Sequence, residues 1–209
     1  MKRNWCAAAS RALLVTWIAA LVAGCETPGP IADKEPLPVP ESYTYVIGPG
    51  DSLNIFVWRN AELSRTVAVR PDGKISVPLV EDLVASGKTP TELAREIEQV
   101  LATYIREPLV TVIVGGFQGV YETQVRVLGE AAQPTAIPYR DKMTVLDVMV
   151  AVGGLTQFAD GNKARLVRHV EGELRTSLVR LEDLVRDGDI SANVPVAPGD
   201  VLIIPEAWF

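Results

Sequence analysis

Few side chains in this sequence could do chemistry. Its 209 residues include two cysteines, Cys6 and Cys25, and one histidine, His169. Cys25 closes Leu21-Val22-Ala23-Gly24-Cys25, an apolar run ended by two small residues, and a thiol so placed is a candidate for covalent modification. His169 stands in an alternating strand pattern with no G-x-S-x-G serine anywhere in the sequence, which argues against a Ser-His-Asp hydrolase. A zinc site needs several Cys or His ligands, and one histidine cannot supply them. Asp51, Asp72, Asp160 and Asp200 each neighbour Gly or Pro, so their first reading is turn chemistry rather than paired catalytic carboxylates. Asp160-Gly161-Asn162 lacks the other ligands of a calcium loop, and Gly115-Gly116 and Gly153-Gly154 fit neither a phosphate-binding loop nor a dinucleotide fingerprint. No catalytic, cofactor or metal residue is assigned.

Cys25 has the most informative context. Upstream of it, Lys2, Arg3 and Arg11 form a basic start, and Ala12 to Ala23 is an uncharged, mostly apolar segment. Its length matches the roughly 7–15 residues of a signal h-region and is too short for a spanning helix. Residues 1–24 therefore read as a targeting segment. Together with Cys25 they resemble a bacterial lipoprotein signal. That resemblance implies a diacylglyceryl group on the Cys25 thiol, cleavage before it, and acylation of the new amino terminus. Each acyl CH₂ contributes about 0.8 kcal/mol, and more than one chain gives stable anchoring. Glu26 stands where an inner-membrane retention signal usually has Asp, so the resemblance favours the outer membrane.

Removal of residues 1–24 takes three basic residues and no acidic ones, moving the formal charge from −6 to −9. That acidity argues against nucleic acid or anionic lipid as main partners. Cys6 leaves with the signal and Cys25 is lipidated, so the mature chain has no internal disulfide and is held by packing. Residues 25–41 hold Pro28, Pro30, Pro36, Pro38 and Pro40 with few large apolar residues and read as an extended tether.

Elements able to position a site follow. Tyr43–Ile47, Leu53–Trp58, Thr66–Arg70 and Lys74–Pro78 read as short strands, with Pro71-Asp72-Gly73 as a hairpin turn between the last two. Thr89-Pro90-Thr91-Glu92 is a capping box opening a helix from Thr89 to Ile105, with Leu93, Ile97, Val100, Leu101 and Tyr104 on one stripe. Leu109–Val114 is an apolar strand, expected to be buried on both faces if central. A second unit has strands at Thr123–Leu128 and Ala136–Tyr139, then a helix capped by Thr144 and stopped at Gly153-Gly154. After these come a hairpin of Arg165–Val170 and Leu174–Val179 across Glu171-Gly172, a short helix at Leu181–Val185 and a final strand at Val201–Pro205. Strand pairs around one helix suggest a β-grasp-like module.

The segment Gly48-Pro49-Gly50-Asp51-Ser52-Leu53-Asn54-Ile55 echoes Ala197-Pro198-Gly199-Asp200-Val201-Leu202-Ile203-Ile204. Shared turn chemistry and duplication explain the echo about equally. Among the aromatics, Phe56 and Trp58 at i, i+2 are expected on one core face of a strand, whereas Trp208-Phe209 must dock on the domain or meet a neighbouring subunit.

Tyr45 to Leu53, Val69 to Pro78, the Thr89–Ile105 helix and Pro108-Leu109-Val110-Thr111-Val112 together resemble the polysaccharide export domain of outer-membrane polysaccharide export lipoproteins. Val125-Arg126-Val127-Leu128-Gly129-Glu130, Gly153-Gly154 and Pro198 to Pro205 resemble the soluble-ligand-binding β-grasp domain that follows it. The ending Ile204 to Phe209 resembles the branch associated with exosortase and PEP-CTERM loci. The expected fold class is α+β: a β-rich export domain with one packed helix over residues 42–120, then a β-grasp-like domain over 121–209.

The resemblance implies a ring-shaped homo-oligomer, lipid-anchored at the outer membrane and facing the periplasm, through which exopolysaccharide leaves. It also implies an inner-membrane polysaccharide co-polymerase as partner. Long members add a carboxyl-terminal amphipathic helix that this sequence does not show, so a ring docked to a separate outer-membrane β-barrel is expected. The competing readings are a monomeric periplasmic saccharide-binding lipoprotein and a polysaccharide-modifying enzyme. No ligand-binding residue is assigned beyond lipidation at Cys25.

Overall fold

A computed structural model describes residues 37–208. Cys25, the signal segment and most of the tether lie outside the described residues. The fold is mixed α+β, with short sheets and few helices in two cores.

The first core begins at β1 (Ser52–Val57), which pairs antiparallel with β2 (Arg65–Ala68) on one side and β5 (Val110–Gly116) on the other. β3 (Lys74–Val77) and β4 (Val80–Val84) make a separate hairpin, and α1 (Pro90–Leu101) covers the buried side. Leu53, Ile55 and Val57 from β1, Val110 and Val112 from β5, and Leu93, Ile97 and Leu101 from α1 meet there. Full burial of each such aliphatic side chain contributes roughly 1.5–3 kcal/mol relative to exposure.

The capping box forms: the Glu92 amide donates to the Thr89 hydroxyl at 3.2 Å, and the Thr89 amide donates to Glu92 at 2.8 Å. The Thr89 amide, with the Thr89 hydroxyl donating to the same oxygen at 2.9 Å, holds the Glu92 carboxyl below its ordinary range. Glu98 accepts the Val110 amide at 2.8 Å, tying the helix to the start of β5.

The second core is enclosed by a five-stranded mixed sheet ordered β7 (Ala136–Ile137), β6 (Val125–Gly129), β10 (Val201–Ile204), β8 (Ala164–Val170), β9 (Glu173–Val179). The central strand β10 runs parallel to β6 and antiparallel to β8. This sheet grasps α2 (Val145–Ala151) through Val145, Val148 and Met149, with α3 (Leu181–Val185) adding Leu181 and Leu184. The β8–β9 hairpin turns at Glu171 and Gly172, whose φ values of 53° and 87° match the primed turns favoured by twisted strands.

Several expectations fail. Tyr43–Ile47 is not a strand: Tyr43 packs on the second core and Tyr45 on the first, so the segment passes between the two instead of along a sheet. The Pro71-Asp72-Gly73 turn forms, with the Gly73 amide donating to Arg70 at 2.8 Å, but it does not join paired strands. β2 pairs with β1, while β3 pairs with β4, a strand that its broken apolar pattern concealed. Helix α1 ends at Leu101, leaving Tyr104 exposed beyond it. β5 sits at a sheet edge and buries one face only, with Thr111 and Ile113 outward.

Phe56 and Trp58 are not core residues. Leu53, Ile55 and Val57 claim the buried side of β1, and strict alternation sends Phe56 to the opposite side, where it meets Trp58 edge to face at 6.3 Å. Trp208 is 96% exposed and does not dock on the described residues.

Candidate functional site

The two Pro-Gly-Asp turns organise the junctions of this chain. In each, the glycine adopts a left-handed conformation, with φ of 90° at Gly50 and 83° at Gly199, and the aspartate folds back to accept the amide three residues earlier. Asp51 Oδ2 accepts from Gly48 at 2.8 Å and Asp200 Oδ2 accepts from Ala197 at 2.7 Å. Both aspartates are completely buried. A buried carboxylate must find several donors to offset its lost hydration.

The two turns find different donors. Asp51 Oδ1 accepts the Gln118 amide at 2.6 Å and the Gly119 amide at 3.1 Å, fixing the link between the two cores, and the Tyr45 hydroxyl donates to Oδ2. Burial, reinforced by the Asp51 charge, pushes the Tyr45 hydroxyl far above the usual phenol range, so it remains a donor. Gly48 permits this approach: a Cβ there would lie 1.8 Å from the Gly119 carbonyl oxygen.

Asp200 instead takes a bidentate ion pair from Arg168, Nε to Oδ1 at 2.8 Å and Nη2 to Oδ2 at 2.6 Å. Arg168 is only 4% exposed and spends its remaining donors on the carbonyls of Leu37 at 2.9 Å, Pro38 at 3.0 Å and Pro195 at 3.1 Å. One guanidinium thus holds the proline-rich segment against the second core, with Tyr43 stacking edge to face on Tyr139 at 4.9 Å beside it. Sequence reasoning placed both aspartates in turns but missed Arg168. The repeated turn marked the two carboxylates and their local amide donors at Gly48 and Ala197, and carried no sign of the distant partners.

The other candidate residues are dispersed. His169 is exposed on β8 opposite Leu174. Asp72 pairs with Arg70 in its exposed turn, and Asp160 pairs with Lys163. Among the described residues, no group of three His, Cys, Asp or Glu side chains is placed to hold a metal ion. No helix among them is long and apolar enough to cross a membrane.

Two surface features remain. The outer side of the β1–β5 sheet carries Phe56, Trp58, Leu109 and Ile113, each more than two-fifths exposed. A groove beside α2 lies between that helix and the turn at residues 140–143. The described residues therefore form a β-rich unit followed in the chain by a β-grasp unit, with an apolar sheet face on the first and an open groove on the second.

Residues 39–115 match the family model described as polysaccharide biosynthesis/export protein, and residues 124–178 match the SLBB domain model. Two curated relatives are similar over most of the chain. One is the exopolysaccharide production protein ExoF of Rhizobium meliloti, 31% identical over 177 residues, covering 78% of this chain and 40% of the relative. The other is the EPS I polysaccharide export outer membrane protein EpsA of Ralstonia nicotianae, 28% identical over 200 residues, covering 84% of this chain and 50% of the relative. The chain thus spans half or less of the length of these relatives. The two domain matches follow one another in chain order, and both relatives are named for exopolysaccharide production or export.

Proposed function

We propose that this protein is a component of an exopolysaccharide export machine, lipid-anchored through Cys25 to the outer membrane and facing the periplasm. The ordered match of an export domain and an SLBB domain carries this reading. Copies assemble into a ring around the polymer path, an inner-membrane co-polymerase delivers polymer, and a separate outer-membrane β-barrel serves as exit. The role is non-catalytic: polymer passes by making and releasing weak hydrogen bonds. Residues 25–41 form the tether, 42–120 the export domain and 121–209 the β-grasp domain, within the branch associated with exosortase and PEP-CTERM loci. Deletion of the gene tests the export role, which predicts that polymer is still made but held in the periplasm.

What supports assembly is the outer face of the first sheet. Phe56, Trp58, Leu109 and Ile113 form an apolar surface next to the free edge of β5, the kind of patch that single soluble domains keep small. Aromatic side chains in such a patch dominate contact energies. Phe56→Ser with Trp58→Ser should leave the fold intact, since neither side chain is in the core, and should shift the detergent-solubilised protein to smaller particles. Native mass measurement checks this, and an unchanged particle mass would remove the face from the interface.

A further inference from the structure

We propose that the outer side of the five-stranded sheet receives the α3 turn of a second copy of this chain, so that β-grasp units join head to tail. This rests on the ring reading and adds the two surfaces that meet. The contact is separate from the Phe56 and Trp58 face of the first unit.

Strand register builds the first surface. Alternation turns every second side chain of β6, β10, β8 and β9 away from the core, and pairing sets Leu128 beside Ile203, Ile203 beside Arg165, and Arg165 beside Leu178. The next row holds Arg126, Val201 and Val167. Leu128 is 52% exposed, and Ile203 and Leu178 are each more than a third exposed, so an aliphatic surface four strands wide stands open. No acidic residue takes an outward position on these strands, and Glu130, just past β6, is engaged by the Thr156 hydroxyl at 2.6 Å. Neither Arg126 nor Arg165 forms an ion pair among the described residues. On a chain of net charge −6, this face is apolar and cationic.

The other side of the same core carries the complement. Helix α3 buries Leu181 and Leu184 in that core and leaves Val185 exposed. Beyond it the Asp189 amide donates to the Asp183 carbonyl at 2.9 Å, closing a turn that is followed by Ile190, 65% exposed. Residues 180–190 hold Glu182, Asp183, Asp187 and Asp189 against Arg180 and Arg186, four acidic side chains to two basic ones, for a net charge of −2. Both arginines are already paired within the turn, whereas Asp187 forms no ion pair among the described residues.

The sign of the charge decides which surfaces meet. Two sheet faces brought together would set Arg126 and Arg165 against their own copies, an arrangement that like charges disfavour, whereas the α3 turn offers exposed aliphatics with an excess of carboxylates. The two surfaces differ and the core lies between them, so the contact is heterologous. Each copy gives its sheet to one neighbour and its turn to the other, and such a series closes into a ring when the rotation per copy closes.

Ile203→Cys and Ile190→Cys place one thiol on each surface, at exposed positions outside the core. The full mature chain in detergent, carrying both substitutions and treated with bismaleimidoethane, should give a ladder of covalent multimers on a denaturing gel. Each single variant should stay monomeric, and a mixture of the two should give dimers only. Arg165→Glu, added to the doubly substituted chain, should raise the protein concentration needed for a half-maximal ladder about tenfold. Covalent dimers from either single variant alone, no ladder from the doubly substituted chain, or a concentration dependence unchanged by Arg165→Glu would each overturn the proposal. Native mass measurement of the parent protein separates these failures from failure of the ring reading. Multimers without a ladder reject these two surfaces, whereas a monomer rejects the ring itself.

Discussion

Arg168→Ala should cost about 3–5 kcal/mol of stability, the range observed when one partner of a buried ion pair is removed and the other charge is stranded. Asp200 would keep only the Ala197 amide as donor at Oδ2, and the carbonyls of Leu37, Pro38 and Pro195 would lose their shared guanidinium. Arg168→Lys should not restore the loss, because a single ammonium cannot make a bidentate carboxylate contact and reach three carbonyls from one position. Chemical denaturation measures the cost. Limited proteolysis gives the local signature: cleavage within residues 37–43 should appear in the variant before global unfolding. A cost below about 1 kcal/mol, the level of a surface pair, would show that the pair is not the buried clamp described above.

Asp51→Ala should be nearly as damaging, at about 3 kcal/mol or more, since it removes the acceptor of the Gly48, Gln118 and Gly119 amides and of the Tyr45 hydroxyl in one step. Hydrogen bonds to a charged acceptor are the stronger kind, and the Gly48 and Gly119 amides are buried, so their loss of an acceptor is costly. Asp51→Asn keeps the shape but leaves one acceptor oxygen and turns an NH₂ towards N–H donors, so it should recover only part of the loss. Hydrogen exchange at Gln118 and Gly119 reports on the site directly. Protection there should collapse in Asp51→Ala, and protection retained at parental levels would contradict the role given to this aspartate.

Local rules were enough for much of this fold. Thr89 and Glu92 form the capping box that their spacing implies, Glu171-Gly172 makes the hairpin, and Gly153-Gly154, both at positive φ, ends α2. Each of these is decided by residues within a few positions of one another. Phe56 and Trp58 were misplaced because hydrophobicity says that a side chain prefers cover, while strand parity decides which of two apolar sets receives it. Three aliphatics in the alternate register took the core. β4 escaped notice because only Val80 among its residues is buried.

The junction chemistry was less legible for a different reason. Pro-Gly-Asp reads as an exposed turn, yet both aspartates are buried because their partners arrive from far along the chain. Asp51 and Gln118 are separated by 67 positions, Arg168 and Asp200 by 32, and Arg168 and Leu37 by 131. No local pattern encodes such meetings.

The proposed export of polymer from the periplasm is decided by where newly made exopolysaccharide accumulates. Polymer should be labelled and measured in the periplasm and in the medium, in a strain lacking the gene and in the same strain with the gene restored. Without the protein, synthesis should continue while the periplasmic fraction rises and the external fraction falls, with both returning on restoration. Normal external polymer in its absence would contradict an export role.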